Sequence, residues 1–272
     1  MMFDRIAEGR YWDKPLSLVS GCTPCSPGCE HCWAAAMEHR FHKTEDDYMP
    51  GQYHHLTTKG KFNGKIQIHP ERLDIPLRRK KPTVYAVWND LFHPRVPPSF
   101  QNEAWKIMAQ AYQHIFLVLT KRVHLMMAVM KMNPKRIQPP NVWLGCTVVN
   151  QQEADEKIPI LLQIQAAVRW ISIEPMLGEI DLLAVPAKNV SGYAGLKLSD
   201  MLHLVIVGGE TGHGARPMNP EWAIDVKNQC KAAGVPFFFK GHGKYRGSYP
   251  GFYVSSGRLL EGQEWNELPE EK

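Results

Sequence analysis

The chain has 272 residues, 44% of them hydrophobic, and a formal net charge of +5 at pH 7. This length fits one large domain or two small ones, and the apolar content is sufficient for a sizeable core. No apolar run approaches the ~20 residues of a membrane-spanning helix, which excludes a helical membrane protein, and the mild positive charge permits a nucleic-acid partner without requiring one. The first ten residues carry no apolar signal-peptide core, so we expect a cytoplasmic location.

Eight short apolar runs recur along the chain, and most of them are nearly continuous rather than alternating. Such runs are typical of strands that are buried on both faces of a parallel sheet. The predicted strands are residues 16–20, 65–69, 83–88, 115–119, 142–147, 169–173, 204–207 and 236–239.

Stretches with helical periodicity lie between several of these runs, at residues 29–41, 99–112, 123–132, 151–163 and 219–233. The last is delimited by Asn219 as N-cap, Pro220 in the first turn and Gly234 after the end. Strands that alternate with helices predict a parallel α/β fold. The number of strands predicts a parallel (β/α) barrel of the TIM type, complete or partial.

The barrel is expected to occupy residues 1–243, followed by a C-terminal extension at residues 244–272 with little regular structure. Residues 43–64 are polar and are interpreted as a loop or lid over the barrel, and residues 185–200 as an exposed insertion.

Four cysteines, Cys22, Cys25, Cys29 and Cys32, fall within eleven residues, and only two others occur in the chain. Thiols this close in sequence can converge on one metal centre. The spacing of Cys25, Cys29 and Cys32 resembles the cysteine signature of radical S-adenosylmethionine (SAM) enzymes. In those enzymes three thiolates hold three irons of a [4Fe–4S] cluster and leave the fourth iron open.

Zinc is the main alternative for these cysteines. A four-thiolate zinc site usually combines two Cys-x2-Cys pairs that lie far apart in sequence. Here only three residues separate the pair Cys22 and Cys25 from the pair Cys29 and Cys32, which is short for two independent knuckles. Disulfides require an oxidising compartment, of which the sequence gives no sign. The cysteines therefore favour an iron–sulfur cluster over zinc.

Polar residues follow the predicted strands at the same end in strand after strand. Catalytic groups of parallel barrels gather at the carboxyl ends of the strands, and a random distribution would place polar groups at both ends. These residues, in chain order, are Asn89, Thr120, Lys121, Glu174, Glu210 and Lys240. The pattern predicts one mouth that contains both the cysteines and these groups.

Four charged strand-end residues are candidate catalytic groups: Lys121, Glu174, Glu210 and Lys240. A carboxylate at the end of a buried strand needs a partner, and Lys121, Arg122 or Lys240 can provide one for Glu174. A structural ion pair in the barrel mouth is the alternative interpretation of that carboxylate.

A second group of residues is predicted to bind the cofactor. Gly208 and Gly209 allow close approach of the backbone to a ligand, and Glu210 can accept from an amino group. Radical SAM enzymes often bind the SAM amine through a Gly-Gly-Glu run, but after an early strand, so Glu210 can instead contact the substrate. His31 and Trp33 can stack on adenine or on a base. The remaining members of this group are Asn89 and Thr120.

Several further motifs together resemble a phage-borne and bacterial family of formerly unknown function, related to radical SAM enzymes such as spore photoproduct lyase. The resemblance extends from about residue 18 to about residue 243. The motifs are residues 20–32, 69–73, 89–93, 119–122, 141–145, 174–178, 207–218 and 234–240.

The family resemblance leaves the third cluster ligand open. The family pattern places thiols at Cys22, Cys29 and Cys32, whereas the general radical SAM spacing selects Cys25, Cys29 and Cys32. Cys29 and Cys32 are common to both patterns.

The resemblance implies an enzyme that uses a [4Fe–4S] cluster and SAM to generate a 5′-deoxyadenosyl radical. It also implies an electron donor such as flavodoxin or ferredoxin. Phage association suggests a nucleobase or nucleic-acid substrate, with isomerisation in thymine hypermodification as the leading reaction. The alternatives are a radical SAM-type lyase that repairs DNA lesions and a non-catalytic, zinc-stabilised nucleic-acid-binding protein.

Overall fold

A parallel sheet forms the centre of the fold in the computed structural model, which describes residues 5–41, 56–87, 89–132, 138–186, 197–245 and 257–269. Seven strands pair in chain order, so each lies beside the one that precedes it. They are β1 (Lys14–Leu16), β2 (Val84–Val87), β3 (Ile115–Thr120), β4 (Val142–Thr147), β5 (Arg169–Ile173), β6 (Leu204–Gly208) and β7 (Phe237–Gly241). The prediction of a parallel α/β fold is confirmed, as a seven-stranded half-barrel.

The helices lie between the strands as predicted, with ends that shift by a few residues. They are α1 (Trp33–Phe41), α2 (Ile75–Arg78), α3 (Pro98–Gln110), α4 (Val123–Lys131), α5 (Gln151–Leu162), α6 (Leu198–Met201) and α7 (Pro220–Ala233). The predicted caps of α7 are confirmed, because the Asn219 side chain accepts from the backbone N–H of Glu221 and Gly234 is left-handed at φ 69°. The predicted helix at 29–41 begins later, since Pro27–Cys29 forms a separate 3-10 turn.

The second predicted strand does not join the parallel sheet, which corrects the prediction of eight parallel strands. Gln67–Ile68 instead pairs antiparallel with Val19–Ser20 in a separate two-stranded sheet. The reason is visible in residues 65–69, where polar and apolar residues alternate, because such a run buries only one face. Among the described residues, β1 and β7 do not pair.

Both faces of the parallel sheet are buried, and this explains the continuous apolar runs. Alternate strand residues such as Phe116 and Val205 pack in the larger core, beneath the helices. Their neighbours, including Leu117, Trp170 and Phe238, form a second cluster with Tyr11 on the inner face of the half-barrel. The aromatic inner face reaches the carboxyl ends of the strands, where the candidate site lies.

The described part of the C-terminal extension packs along β7. The backbone N–H of Phe239 donates to the Trp265 carbonyl at 2.8 Å, and that of Glu267 donates to the Phe237 carbonyl at 3.1 Å. The segment also forms a small hairpin of Leu259–Leu260 with Gln263–Glu264. It thereby covers an edge strand that would otherwise present unpaired backbone groups.

Two predicted features lie largely outside the described residues. Residues 42–55 include most of the predicted lid, of which the described part is the hairpin Thr57–Thr58 with Lys61–Phe62. Residues 187–196 include most of the predicted insertion. Within the described part of the chain, no helix has the length and apolar character needed to cross a membrane.

Candidate functional site at the carboxyl ends of the strands

A cavity of about 430 Å³ lies at the carboxyl ends of the strands, and all four clustered cysteines line it. This volume is within the usual range for small-molecule sites. Every predicted site residue except Gly208 lines the cavity: the four cysteines, His31, Trp33, Asn89, Thr120, Lys121, Glu174, Gly209, Glu210 and Lys240. The prediction of one mouth that combines cysteines with strand-end polar groups therefore describes the geometry correctly.

The cysteine loop is shaped by a short turn. The Ser26 side chain caps the 3-10 turn by accepting from the backbone N–H of Gly28 at 3.2 Å, and Pro27 occupies its first position. A Cβ at Gly28 would lie 2.8 Å from a methyl group of Val149. A larger residue at this position would force Val149 to shift, because the loop packs directly against the segment that follows β4.

Cys25 and Cys29 form a hydrogen-bonded thiol pair. Donation from Cys25 lowers the pKa of Cys29 to about 5, with further help from the charge of Lys121 and against the effect of burial. The same hydrogen bond, followed by burial, raises the pKa of Cys25. Burial likewise raises the pKa of Cys22. Of these thiols, Cys29 is therefore the one whose environment favours the thiolate, which is the form that binds metals.

The donor set of the loop fits an iron–sulfur cluster, because such clusters are held by cysteine thiolates and the loop carries four free cysteines. Zinc is also bound by cysteine thiolates. The identity of the metal centre stays a prediction.

A buried ion pair supports the start of the cysteine loop. Arg122 and Asp90 have side chains that are 7% and 8% exposed, and their charged atoms are 2.5 Å apart. The Arg122 guanidinium also donates to the Thr23 carbonyl and, at 3.7 Å, to the Cys22 sulfur. The Thr120 hydroxyl donates to Asp90 at 2.7 Å. Thr120, predicted to bind the cofactor, thus anchors the group that fixes Cys22.

Glu210 is paired within the protein. It is 4% exposed, and its two oxygens accept from the Arg216 guanidinium at 2.7 and 3.0 Å and from the Arg216 backbone N–H at 2.8 Å. Arg216 in turn donates to the Pro27 carbonyl at 2.9 Å and to Glu30 at 3.0 Å. Glu210 and Arg216 therefore connect the end of β6 to the cysteine loop. Contact of Glu210 with an amino group of a ligand stays a prediction.

We expect Glu210 to contribute to the loss of folding stability at acid pH. Burial raises its pKa, but the hydrogen bonds and charge of Arg216, with the charge of His31, outweigh burial and lower the pKa below its ordinary value. The stabilisation is therefore present above the unfolded pKa of about 4.3 and is lost as pH falls through the folded pKa. Glu210→Gln should lower the free energy of unfolding by about 1–3 kcal/mol at neutral pH. Denaturant titrations at several pH values should also show that the variant loses less stability on acidification than the unmutated protein.

The control is Glu103→Gln, which removes a carboxylate from an exposed position. If Glu210→Gln and Glu103→Gln give the same dependence of unfolding on pH, Glu210 contributes no special stabilisation.

Glu174 and Lys240 form the ion pair that the sequence suggested. Lys240 Nζ lies 2.7 Å from Glu174, and Lys240 is 41% exposed while Glu174 is 15% exposed. Glu174 also accepts from the hydroxyls of Ser172 at 2.9 Å and Tyr11 at 3.2 Å. Burial, followed by the Glu174 charge, raises the pKa of Tyr11. The result is a polar cluster that lines the cavity beside Trp170.

Asn89, Gly208 and Gly209 determine how the backbone is arranged at the mouth of the cavity. Asn89 is left-handed at φ 61°, and its side-chain amide donates to the Val19 carbonyl at 2.5 Å. A Cβ at Gly209 would lie 2.1 Å from the His242 carbonyl. Gly208 lies behind the cavity, beside Glu174 and Lys240. Direct contact of Asn89, Gly208 or Gly209 with a cofactor stays a prediction.

His31 and Trp33 flank the cysteine loop at the cavity. His31 packs its ring against the backbone at Gly214, and Trp33 is 41% exposed. Exposed aromatic surface at a cavity wall is compatible with the predicted stacking on a purine or a base.

Sequence reasoning missed Asp90, Tyr11 and the role of Arg216. Asp90 directly follows Asn89 at the end of β2, so the strand-end pattern contained it. Tyr11 precedes β1, so it does not belong to the pattern of polar residues that follow the strands. Its contact with Glu174 spans 163 positions and is visible only in the fold.

Fold and site together define a parallel α/β protein with a four-cysteine cavity at the carboxyl ends of its strands. The chain belongs to the family described as "Protein of unknown function (DUF5131)", which matches residues 8–269. No curated protein matches the chain. No solved structure matches it.

Proposed function

We propose that the protein is a radical SAM enzyme built on a partial TIM-type barrel. The observation that carries this proposal is the shared cavity, which brings four thiols of one loop together with the polar groups at the strand ends. When bound, an open-site [4Fe–4S] cluster and SAM supply a 5′-deoxyadenosyl radical that abstracts hydrogen from an unreactive carbon.

Cys29 and Cys32 would hold the cluster together with either Cys22 or Cys25. The lowered pKa of Cys29 supports this role, because it favours the thiolate form that binds iron. Arg122 fixes Cys22, and Arg216 fixes the carbonyl of Pro27 in the middle of the loop. The loop is therefore held from two sides before any metal binds, which favours a defined ligand geometry.

The rest of the cavity suits a flat polar substrate. Tyr11, Trp170 and Leu117 provide apolar wall, while Lys240 and Glu174 present a cation and a carboxylate beside it. A nucleobase has an aromatic face and polar edges, so this lining can bind both parts of it. We therefore propose a nucleobase substrate, with thymine hypermodification of the isomerase type as the reaction, and a cytoplasmic flavodoxin or ferredoxin as electron donor.

The decisive experiment is anaerobic reconstitution with iron and sulfide, followed by addition of SAM and a reductant. We expect a brown protein with absorbance near ~400 nm and formation of 5′-deoxyadenosine. A colourless protein that binds zinc with all four thiols would contradict the proposal, and so would a cluster that forms but never cleaves SAM.

Lys240→Gln should weaken substrate binding without changing the binding of the cluster. Loss of one charged hydrogen bond is worth about 1–3 kcal/mol, so affinity for thymidine as a probe should fall about tenfold in equilibrium dialysis. Cluster content should be unchanged, because Lys240 contacts Glu174 and not the cysteines. The matched control is Lys131→Gln at the far end of α4. Equal thymidine affinity in the two variants would exclude Lys240 from the substrate site.

A further inference from the structure

A second cavity, of about 630 Å³, lies directly beside the first. The two cavities share a wall made of Pro24, Cys25, Lys121 and Arg122. The wall combines the exposed part of the cysteine loop with the end of β3. The two cavities therefore adjoin at these four residues.

The lining of the second cavity contains more cations than carboxylates. Among the described residues that line it, the cations are Arg95, Lys121, Arg122 and Lys157, and the one carboxylate is Glu156. Two of these cations are already neutralised: Arg122 pairs with Asp90 at 2.5 Å, and Lys157 pairs with Glu153 at 2.8 Å.

Arg95 and Lys121 remain for a ligand. Within the described part of the chain, neither lies within ion-pair distance of a carboxylate. Arg95 donates one N–H to the Gly64 carbonyl at 2.6 Å, which orients the guanidinium and leaves its other donors. Leu125 and Ile160 add apolar surface to the lining. The cavity thus offers both cationic and apolar partners to a ligand.

We propose that the second cavity binds the sugar–phosphate backbone of a single-stranded nucleic acid whose target base enters the first cavity. This inference rests on the proposed function, because it assumes that the substrate base belongs to a polymer. Phosphates beside Arg95 and Lys121 would gain charge-assisted hydrogen bonds, and the sugars would rest on Leu125 and Ile160. The neighbouring first cavity favours a strand over an acidic protein, because the two cavities share Lys121 and Arg122 and a polymer could place its base in one and its backbone in the other.

The test measures binding of a fluorescent oligothymidylate of about twelve nucleotides to the full chain by anisotropy at several salt concentrations. His124→Glu introduces a carboxylate at an exposed rim position at the start of α4, where a negative charge favours the helix. We expect it to weaken oligonucleotide binding about fivefold to tenfold while thymidine affinity stays unchanged. Arg95→Gln should weaken binding and reduce the salt slope by about 0.7.

Tyr112→Glu is the matched control, since it makes the same charge change at a residue that is 80% exposed at the opposite end of the sheet. Equal oligonucleotide affinity in His124→Glu and Tyr112→Glu would overturn the proposal. A second outcome would also overturn the proposal: if His124→Glu slows reduction of the cluster by an acidic flavodoxin but leaves oligonucleotide binding unchanged, the cavity binds that flavodoxin.

The same variants separate this proposal from the enzyme assignment. SAM cleavage without substrate, measured as 5′-deoxyadenosine, should be equal in the unmutated protein and in His124→Glu. If no sample cleaves SAM, the proposed function is contradicted. The oligonucleotide measurement still tests the second cavity, because it does not depend on SAM cleavage.

Discussion

Alanine at Cys29 or at Cys32 is expected to abolish the iron–sulfur cluster, because each removes a thiolate that both candidate ligand patterns contain. Of Cys22→Ala and Cys25→Ala, only one should do so. Cys22 accepts from Arg122, whereas Cys25 is exposed and donates to Cys29, so the two positions differ in environment. Iron and sulfide content after anaerobic reconstitution, together with absorbance near ~400 nm, reports the outcome.

Cys146→Ala is the control for these substitutions. Cys146 is fully buried in the core, and burial raises its pKa to about 12, so it stays a protonated thiol. It should retain the cluster. If all four clustered cysteines prove necessary, no iron is left open, and SAM cleavage at an open iron is excluded. If Cys29→Ala retains full iron content, the loop is not the cluster site.

Arg122→Gln should strongly destabilise the protein even without a cluster. It leaves the Asp90 carboxylate buried and without its cation, and breaking a buried ion pair in this way costs about 3–5 kcal/mol. It also removes the donors to Thr23 and Cys22. Urea titration of the metal-free protein should therefore show a lower midpoint with little change in slope.

Two controls sharpen this test. Arg78→Gln breaks the exposed pair with Asp74, whose side chains are 66% and 57% exposed, and should cost less than about 1 kcal/mol. The double variant Asp90→Asn with Arg122→Gln should be more stable than the sum of the two single changes predicts. Strict additivity would mean that the two side chains do not depend on each other.

The sheet was predictable because most of its strands can be recognised from their local sequence alone. Six of the seven strands fall on continuous apolar runs, and burial on both faces leaves this pattern in any parallel sheet. The run at 65–69 was grouped with the other apolar runs, although its polar–apolar alternation favoured a strand with only one buried face. The strand count behind the predicted barrel, complete or partial, included this run.

The location of the site was predictable, but its internal bonding was not. Strand-end position alone brought Thr120, Glu174 and Glu210 to one mouth. Their partners depend on tertiary contacts: Thr120 with Asp90, Glu174 with Tyr11, and Glu210 with Arg216. Sequence spacing cannot select among several nearby charges, so these side chains were assigned to ligands although the protein itself uses much of their bonding capacity.

The pairing of strands in chain order has a consequence for the protein as it leaves the ribosome. Each strand from β2 to β7 finds its neighbour already synthesised, so the sheet can grow in the direction of synthesis. The cysteine loop emerges early, yet Arg216, which holds Pro27, is made 189 residues later. The loop that carries the four thiols is therefore held from both sides only after Arg216 has been synthesised.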